Sequence, residues 1–276
     1  MVTWGRRPGT LAAMSPAEID TLRALAVRLA AEAAAVHRAG RGRELHVETK
    51  GSPTDHVSEV DRDAERVIVA GITAARPHDG ILGEEGSAVA GTSGVRWVVD
   101  PLDGTTNYLY GFPAFSVSIG VEVDGVPTVG VVHDSAHDVC YAGVRGGAAT
   151  RNGEPMRVRA CAKLGMALVA TGFQYRPEIR ARQAATLAAV LPVVRDVRRG
   201  GSAALDLCWV GAGHVDAFYE AALAEWDVAA GMVIAEAAGA EVRAIEVPDG
   251  PSPLVVAAHP ALMAALLDLL RRSGAI

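Results

Sequence analysis

The stretch "RWVVDPLDGTTNY", Arg96 to Tyr108, ends an apolar run in two aspartates three residues apart, then turns through Gly-Thr-Thr. Trp97, Val98 and Val99 predict a buried strand. A carboxylate at the end of such a strand loses the water that stabilises its charge, and Asp100 and Asp103 placed together there would repel each other. A hard divalent cation removes both costs, because Mg2+ takes oxygen ligands and keeps positions for water and phosphate oxygens. Gly104-Thr105-Thr106 adds a second component. A helix starting there would aim free backbone N–H groups and the positive end of its dipole at a bound anion.

Three further acids stand out: Asp61, Glu84 and Asp227. Singly, each acid has an ordinary explanation. Asp61 suits a helix cap and Asp227 a helix N-terminus. Glu84 with Glu85 suits a solvated turn, and Asp103-Gly104 is a common turn dipeptide. Those explanations leave the buried pair at Asp100 and Asp103 uncovered. No H-E-x-x-H, H-x-H or cysteine cluster competes, so zinc fits less well. No G-x-x-x-x-G-K-[ST] loop occurs either. Carboxylates, a cation and an anion-binding helix start describe a phosphate ester site.

Composition sets the outer bounds. The 276 residues suffice for one large domain or two packed lobes. The formal net charge of −6 argues against nucleic acid as the main ligand. It also means that an anionic substrate needs a local positive centre, and no basic cluster stands out to supply one. Cys140, Cys161 and Cys208 lack C-x-x-C spacing, so a reducing, cytoplasmic setting is expected, without a thiolate metal site. The first residues lack the apolar core of a signal peptide, and no run of 18 apolar residues occurs, so a soluble protein without membrane association is expected. Residues 1–14 read as a disordered extension, 15–160 as a metal-binding α+β lobe, and 161–276 as a second α/β lobe completing the active site.

Local patterns predict the elements. Ser15, Pro16 and Glu18 form a capping box ahead of helical spacing at Ile19, Leu22, Ala26, Leu29 and Ala33. Residues 41–54 read as a mobile loop or hairpin, and Ser58 with Asp61 as the cap of a second helix. "SVSIGVEVDGVPTVGVVHD" is a hairpin turning at Asp124-Gly125, and the following segment a second one turning at Asn152-Gly153. Later come strands at "LVATGF", "RDVRR", "VDAFYE" and "LVVAA", with helices at 178–190, "GSAALDLCWVGAG", "WDVAAGMVIAEAAGA" and the C-terminal leucine-rich segment. Helices interleaved with antiparallel hairpins imply a layered α+β sandwich, αβαβα, with mixed sheets.

With these residues in place, the chain resembles the inositol monophosphatase family. "KGSPTDHVSEVD", "GEEG", "DPLDGTTNYLYGFPAFSVSIG" and "EWDVAAG" match its hallmark segments in order, from about Ala17 onward. The resemblance implies one ion held by Glu84, Asp100 and the Leu102 carbonyl, and a second by Asp100, Asp103 and Asp227. A third, weaker ion would lean on Glu84. Asp61 and Thr105 would orient the attacking water, with Glu84 also part of the catalytic group, and Gly104 and Thr105 would hold the phosphate. The implied reaction is in-line hydrolysis of a phosphomonoester with two or three Mg2+ ions, sensitive to Li+ and carried out by a homodimer. Glu220 matches the position that reads substrate hydroxyls in inositol-selective members, and Ala203 the residue bordering the ring; otherwise they are a solvated turn and helix packing. Lys50 matches a lysine of the mobile loop. Relatives on the same metal core cleave histidinol phosphate, fructose 1,6-bisphosphate or adenosine 3′,5′-bisphosphate. Glu220 disfavours the nucleotide, whereas cationic histidinol phosphate suits an acidic pocket. A regulatory scaffold on a retired phosphatase fold is the alternative from another class, and no metal carboxylate is lost to support it.

Overall fold

The computed structural model describes residues 14–43, 47–49, 56–247 and 250–276. Lys50 and the extension as far as Ala13 lie outside them. The first layer is helical. Helix α1 (Pro16–Gly40) starts at the Ser15/Glu18 capping box, and Leu22, Ala26, Leu29 and Ala33 are all buried. A short antiparallel pair, β1 (Val47–Thr49) and β2 (His56–Ser58), leads into α2 (Glu59–Ala75), which packs beside α1. Both helices cover one face of an eight-stranded sheet through Trp97, Val99, Ile119 and Val131.

That sheet contains β3 (Gly80–Gly83), β4 (Ala88–Val89), β5 (Val95–Asp103), β6 (Ser116–Val123), β7 (Val126–Asp134), β8 (Val139–Val144), β9 (Ala149–Arg151) and β10 (Glu154–Pro155). Only the β3–β5 pair is parallel; the rest are antiparallel. The six-residue helix α3 (Thr105–Tyr110) follows β5 directly. Asp124 and Gly125 turn β6 into β7 with positive φ at both positions, as a two-residue hairpin requires. Asn152-Gly153 also forms a turn of this kind, but it joins β9 to β10. The expected second hairpin is therefore a three-stranded meander, because Gly146 and Gly147 supply an earlier turn after β8.

The remaining strands form a second, five-stranded sheet: β11 (Leu168–Thr171), β12 (Asp196–Arg198), β13 (Ala217–Glu220), β14 (Glu241–Ile245) and β15 (Leu254–Ala258), in the order β12-β11-β13-β15-β14. Its outer face carries α4 (Pro177–Val190) and the amphipathic α7 (Pro260–Arg272). Between the sheets lie α5 (Ala203–Gly211) and α6 (Glu225–Ala237), whose apolar sides pack both ways. The layers run αβαβα.

Close approach of α6 to the first sheet has a sequence cause. Gly120 and Gly143 are register partners of Gly130, making a glycine row across β6, β7 and β8. A Cβ on Gly130 would overlap the Ala230 carbonyl of α6. This row lets α6 lie flat and delivers its N-terminus, with Asp227, to the end of β5. Among the described residues, no helix is long and apolar enough to cross a membrane.

Candidate active site

A cavity of about 300 Å³ opens where β5, α3, α5, β13 and the N-terminus of α6 meet. Glu84, Asp100, Leu102, Asp103, Gly104, Thr105, Ala203, Glu220 and Asp227 all line it. Asp61 stands behind Thr105, joined to it by a hydrogen bond.

Beta-strand irregularity places the two acids of the opening stretch. The β5–β6 register shifts between Asp100 and Asp103, so Pro101 and Leu102 have no ladder partner on β6. Such a bulge re-aims side chains at a strand end. Asp100 Oδ1 then accepts from the Leu102 N–H at 3.0 Å. Next door, Glu84 donates its backbone N–H to the Val99 carbonyl at 3.1 Å, which seats it beside Asp100.

Three of the carboxylates turn out to be helix caps as well. Asp61 Oδ2 accepts from the Ser58 N–H and hydroxyl at the start of α2. Asp103 Oδ2 accepts from Ser202 Oγ at 2.6 Å and the Ala204 N–H at 2.8 Å at the start of α5. Asp227 Oδ2 accepts from the Ala224 N–H at the start of α6. The ordinary explanation of Asp61 and Asp227 as cap residues is thus correct, and it does not compete with a role at the cavity. Each cap occupies Oδ2 and leaves Oδ1 for other partners; for Asp61 that partner is the Thr105 hydroxyl, at 2.8 Å. The helix dipoles also favour negative charge at these points.

Electrostatics mark the site as short of positive charge. Burial pushes Asp100 well above the usual carboxylate range, and the charges of Glu84, Asp103 and Asp227 push it further. Asp227 moves the same way, chiefly by burial and then by Asp103 and Glu84. Burial lifts Asp103 to about 6, against the pull of its Ser202 and Ala204 hydrogen bonds. Glu84 lies close enough to Asp100 to disfavour its charged form, a repulsion that a cation between the two would relieve. Among the described residues, no three His, Cys, Asp or Glu side chains close into a ready-made ligand cage. The acids instead converge on an open cavity. Among the described residues its lining contains carboxylates but no histidine or cysteine, a donor set that fits Mg2+ and not zinc.

Backbone at the phosphate end is equally constrained. Gly104 has φ 96°, and a Cβ there would sit 2.9 Å from the Ala114 carbonyl oxygen. Elsewhere in the lining, burial raises Glu220 to about 8, with Arg199 opposing the shift. Gly172 leaves room for the Glu220 carboxyl.

Several residues here escaped the sequence reading. Glu65, on the buried face of α2, accepts from the Glu85 and Ser87 N–H groups and the Ser87 hydroxyl, clamping the turn that carries Glu84. Its signal was a carboxylate inside the apolar stripe of a helix. Arg199 lines the cavity and is a positive centre that composition did not reveal. Buried Asp206, with neither oxygen hydrogen-bonded, lies close enough to Glu220 and Asp103 for their charges to raise its pKa.

The chain's layered αβαβα architecture around an acid-lined cavity is shared with a family of phosphoric monoester hydrolases. The inositol monophosphatase family model matches residues 18–275, and the chain belongs to that family. It is 45% identical over 273 residues to the inositol-1-monophosphatase SuhB of Mycobacterium tuberculosis, covering 91% of this chain and 93% of that protein. It is 43% identical to the Nus factor SuhB of Xylella fastidiosa over 75% of each chain. The solved structure of the extragenic suppressor protein suhB from Bartonella henselae superposes with a TM-score of 0.84 at 35% identity, covering 92% of this chain and 98% of that one.

Proposed function

We propose that the chain hydrolyses inositol 1-phosphate and related polyol phosphates to the free alcohol and phosphate. The observation that carries this is the convergence of Glu84, Asp100, Asp103 and Asp227 on one cavity that Glu220 also lines. Glu84, Asp100 and the Leu102 carbonyl would hold one Mg2+; Asp100, Asp103 and Asp227 a second; a third would lean on Glu84. When bound, the ions supply Lewis-acid activation of the attacking water and neutralise charge on the phosphate and the departing oxygen.

The chain's own groups do the rest. Thr105 Oγ1 lies 2.8 Å from Asp61 Oδ1 and 3.1 Å from the Leu102 carbonyl oxygen; donating to Asp61, the nearer acceptor, leaves its lone pairs free to accept from the attacking water. Asp61 is raised above its ordinary range, chiefly by burial, which suits it to take a proton through Thr105. Gly104 lets the phosphate approach the backbone. Glu220 can form two hydrogen bonds to neighbouring hydroxyls of a polyol, and Ala203 leaves space for its ring. The free cysteines accord with a cytoplasmic enzyme, and we expect it to be a homodimer.

Turnover of inositol 1-phosphate and of histidinol phosphate in Mg2+, with and without EDTA, tests the reading. Mg2+-dependent release of phosphate, faster from inositol 1-phosphate, is expected. Faster release from histidinol phosphate would overturn the substrate, and activity that survives EDTA would overturn the cation site.

A further inference from the structure

Behind the acidic bulge lies a fully buried imidazole. His37, in the last turn of α1, places Nε2 2.9 Å from the Pro101 carbonyl oxygen and Nδ1 2.9 Å from Ser135 Oγ. A carbonyl only accepts, so Nε2 carries the proton and the bare Nδ1 accepts from the Ser135 hydroxyl. Burial, the largest influence, pushes the ring's pKa down to about 3, so it stays neutral. The ring is held from two further sides. Its edge meets Tyr108 and Phe115, at centroid distances of 5.9 and 6.1 Å, and the Tyr108 hydroxyl donates to the His37 backbone carbonyl at 2.8 Å.

The Pro101 carbonyl and the Leu102 N–H belong to one peptide group. That peptide lies in the register shift of β5, with no partner on β6 to fix its plane. His37 holds its oxygen end, and Asp100 Oδ1 accepts from its N–H end at 3.0 Å. Hydrogen bonds therefore run in one direction, from the Ser135 hydroxyl through the imidazole and the peptide to the Asp100 carboxylate. Each donation polarises the next and favours negative charge on Asp100. Partners of this outer kind orient a ligand and raise its affinity for a metal.

We propose that His37 is a positioning residue for the cation site, fixing the Asp100 carboxylate through the Pro101–Leu102 peptide. It rests on Asp100 being a cation ligand, and the experiment separates the two ideas.

Mg2+ binding is measured by calorimetry on the full chain without substrate, alongside thermal midpoints. His37→Leu fills the space but removes the donor, and should weaken Mg2+ binding about 10-fold or more. His37→Gln restores an N–H donor toward Pro101 and should recover affinity to within about threefold of wild type. Tyr108→Phe loosens the same end of α1 and should lower the midpoint while leaving Mg2+ affinity within about twofold. Unchanged affinity in His37→Leu, a Gln variant no better than Leu, or a Tyr108→Phe loss as large as that of His37→Leu would each overturn the proposal. Should His37→Leu not fold, Ser135→Ala carries the test: affinity should fall about threefold, and no change overturns the proposal. A wild-type protein that binds no Mg2+ would overturn the role of Asp100 instead.

Discussion

Thr105 Oγ1 donates to Asp61 Oδ1 at 2.8 Å, tying the start of α3 to the start of α2. Because Asp61 Oδ2 is engaged by Ser58, the carboxylate cannot turn away without uncapping its helix. Asp61→Asn retains an acceptor for the cap but sets an amide beside the Thr105 hydroxyl. Turnover should fall about 10²-fold or more, as for loss of a general base. The thermal midpoint should drop by no more than about 4 °C. Steady-state kinetics and a melting curve check both; a rise in KM with kcat unchanged would contradict the role.

Asp100→Asn should have effects of opposite sign on activity and stability. It removes one negative charge from a buried cluster in which Glu84, Asp103 and Asp227 already repel it. In EDTA the variant should melt at a higher temperature than wild type, because a buried like-charge repulsion is gone. In Mg2+ it should turn over about 10²-fold or more slowly. A variant less stable than wild type in EDTA would show that Asp100 is held by partners other than a cation.

Stability should couple to pH through the same acids. In the metal-free protein, burial chiefly raises Asp103 from 3.8 to about 6, and Glu220 from 4.5 to about 8. An acid with a raised folded pKa keeps its proton after the unfolded chain has lost its own, so the folded state loses stability as pH rises through that window. The EDTA-treated protein should therefore melt progressively lower from about pH 4 to about pH 8. Mg2+ neutralises the charges that the protons leave behind, so the Mg2+-induced rise in midpoint should widen over the same range. A rise that narrows with pH would contradict this.

Glu220→Gln keeps the size that fits against Gly172 but halves the acceptor capacity of the side chain. The KM for inositol 1-phosphate should rise about 10-fold, the loss of one hydrogen bond in a buried pocket. Inhibition by inorganic phosphate, which would engage Gly104 and Thr105, should be unaltered. Equal losses for both ligands would place Glu220 outside the alcohol pocket.

Local chemistry was legible wherever one short segment determined the outcome. Ser15/Glu18 and Ser58/Asp61 wrote their helix starts into the sequence, and Asp124-Gly125 its hairpin. The bulge between Asp100 and Asp103 was not legible, because register depends on how β6 pairs with β5. Strand β14 was missed: Glu241–Ile245 is a short sheet edge with charged residues and no buried position. Candidate site residues were readable from their own segments, whereas their supports were not. Glu65 acts on a turn about 20 residues away and His37 on a peptide 64 residues away, and neither spacing leaves a local pattern. Arg199 reaches the cavity only because β12 leads into the α5 start beside Asp103.

Soaking crystals with Mn2+ and phosphate and recording its anomalous scattering tests the cation site most directly. Peaks about 2.0–2.3 Å from carboxylate oxygens of Glu84, Asp100, Asp103 and Asp227, with phosphate oxygens on the cavity side, are predicted. Mn2+ that supports turnover in solution yet binds away from these four side chains would contradict the account.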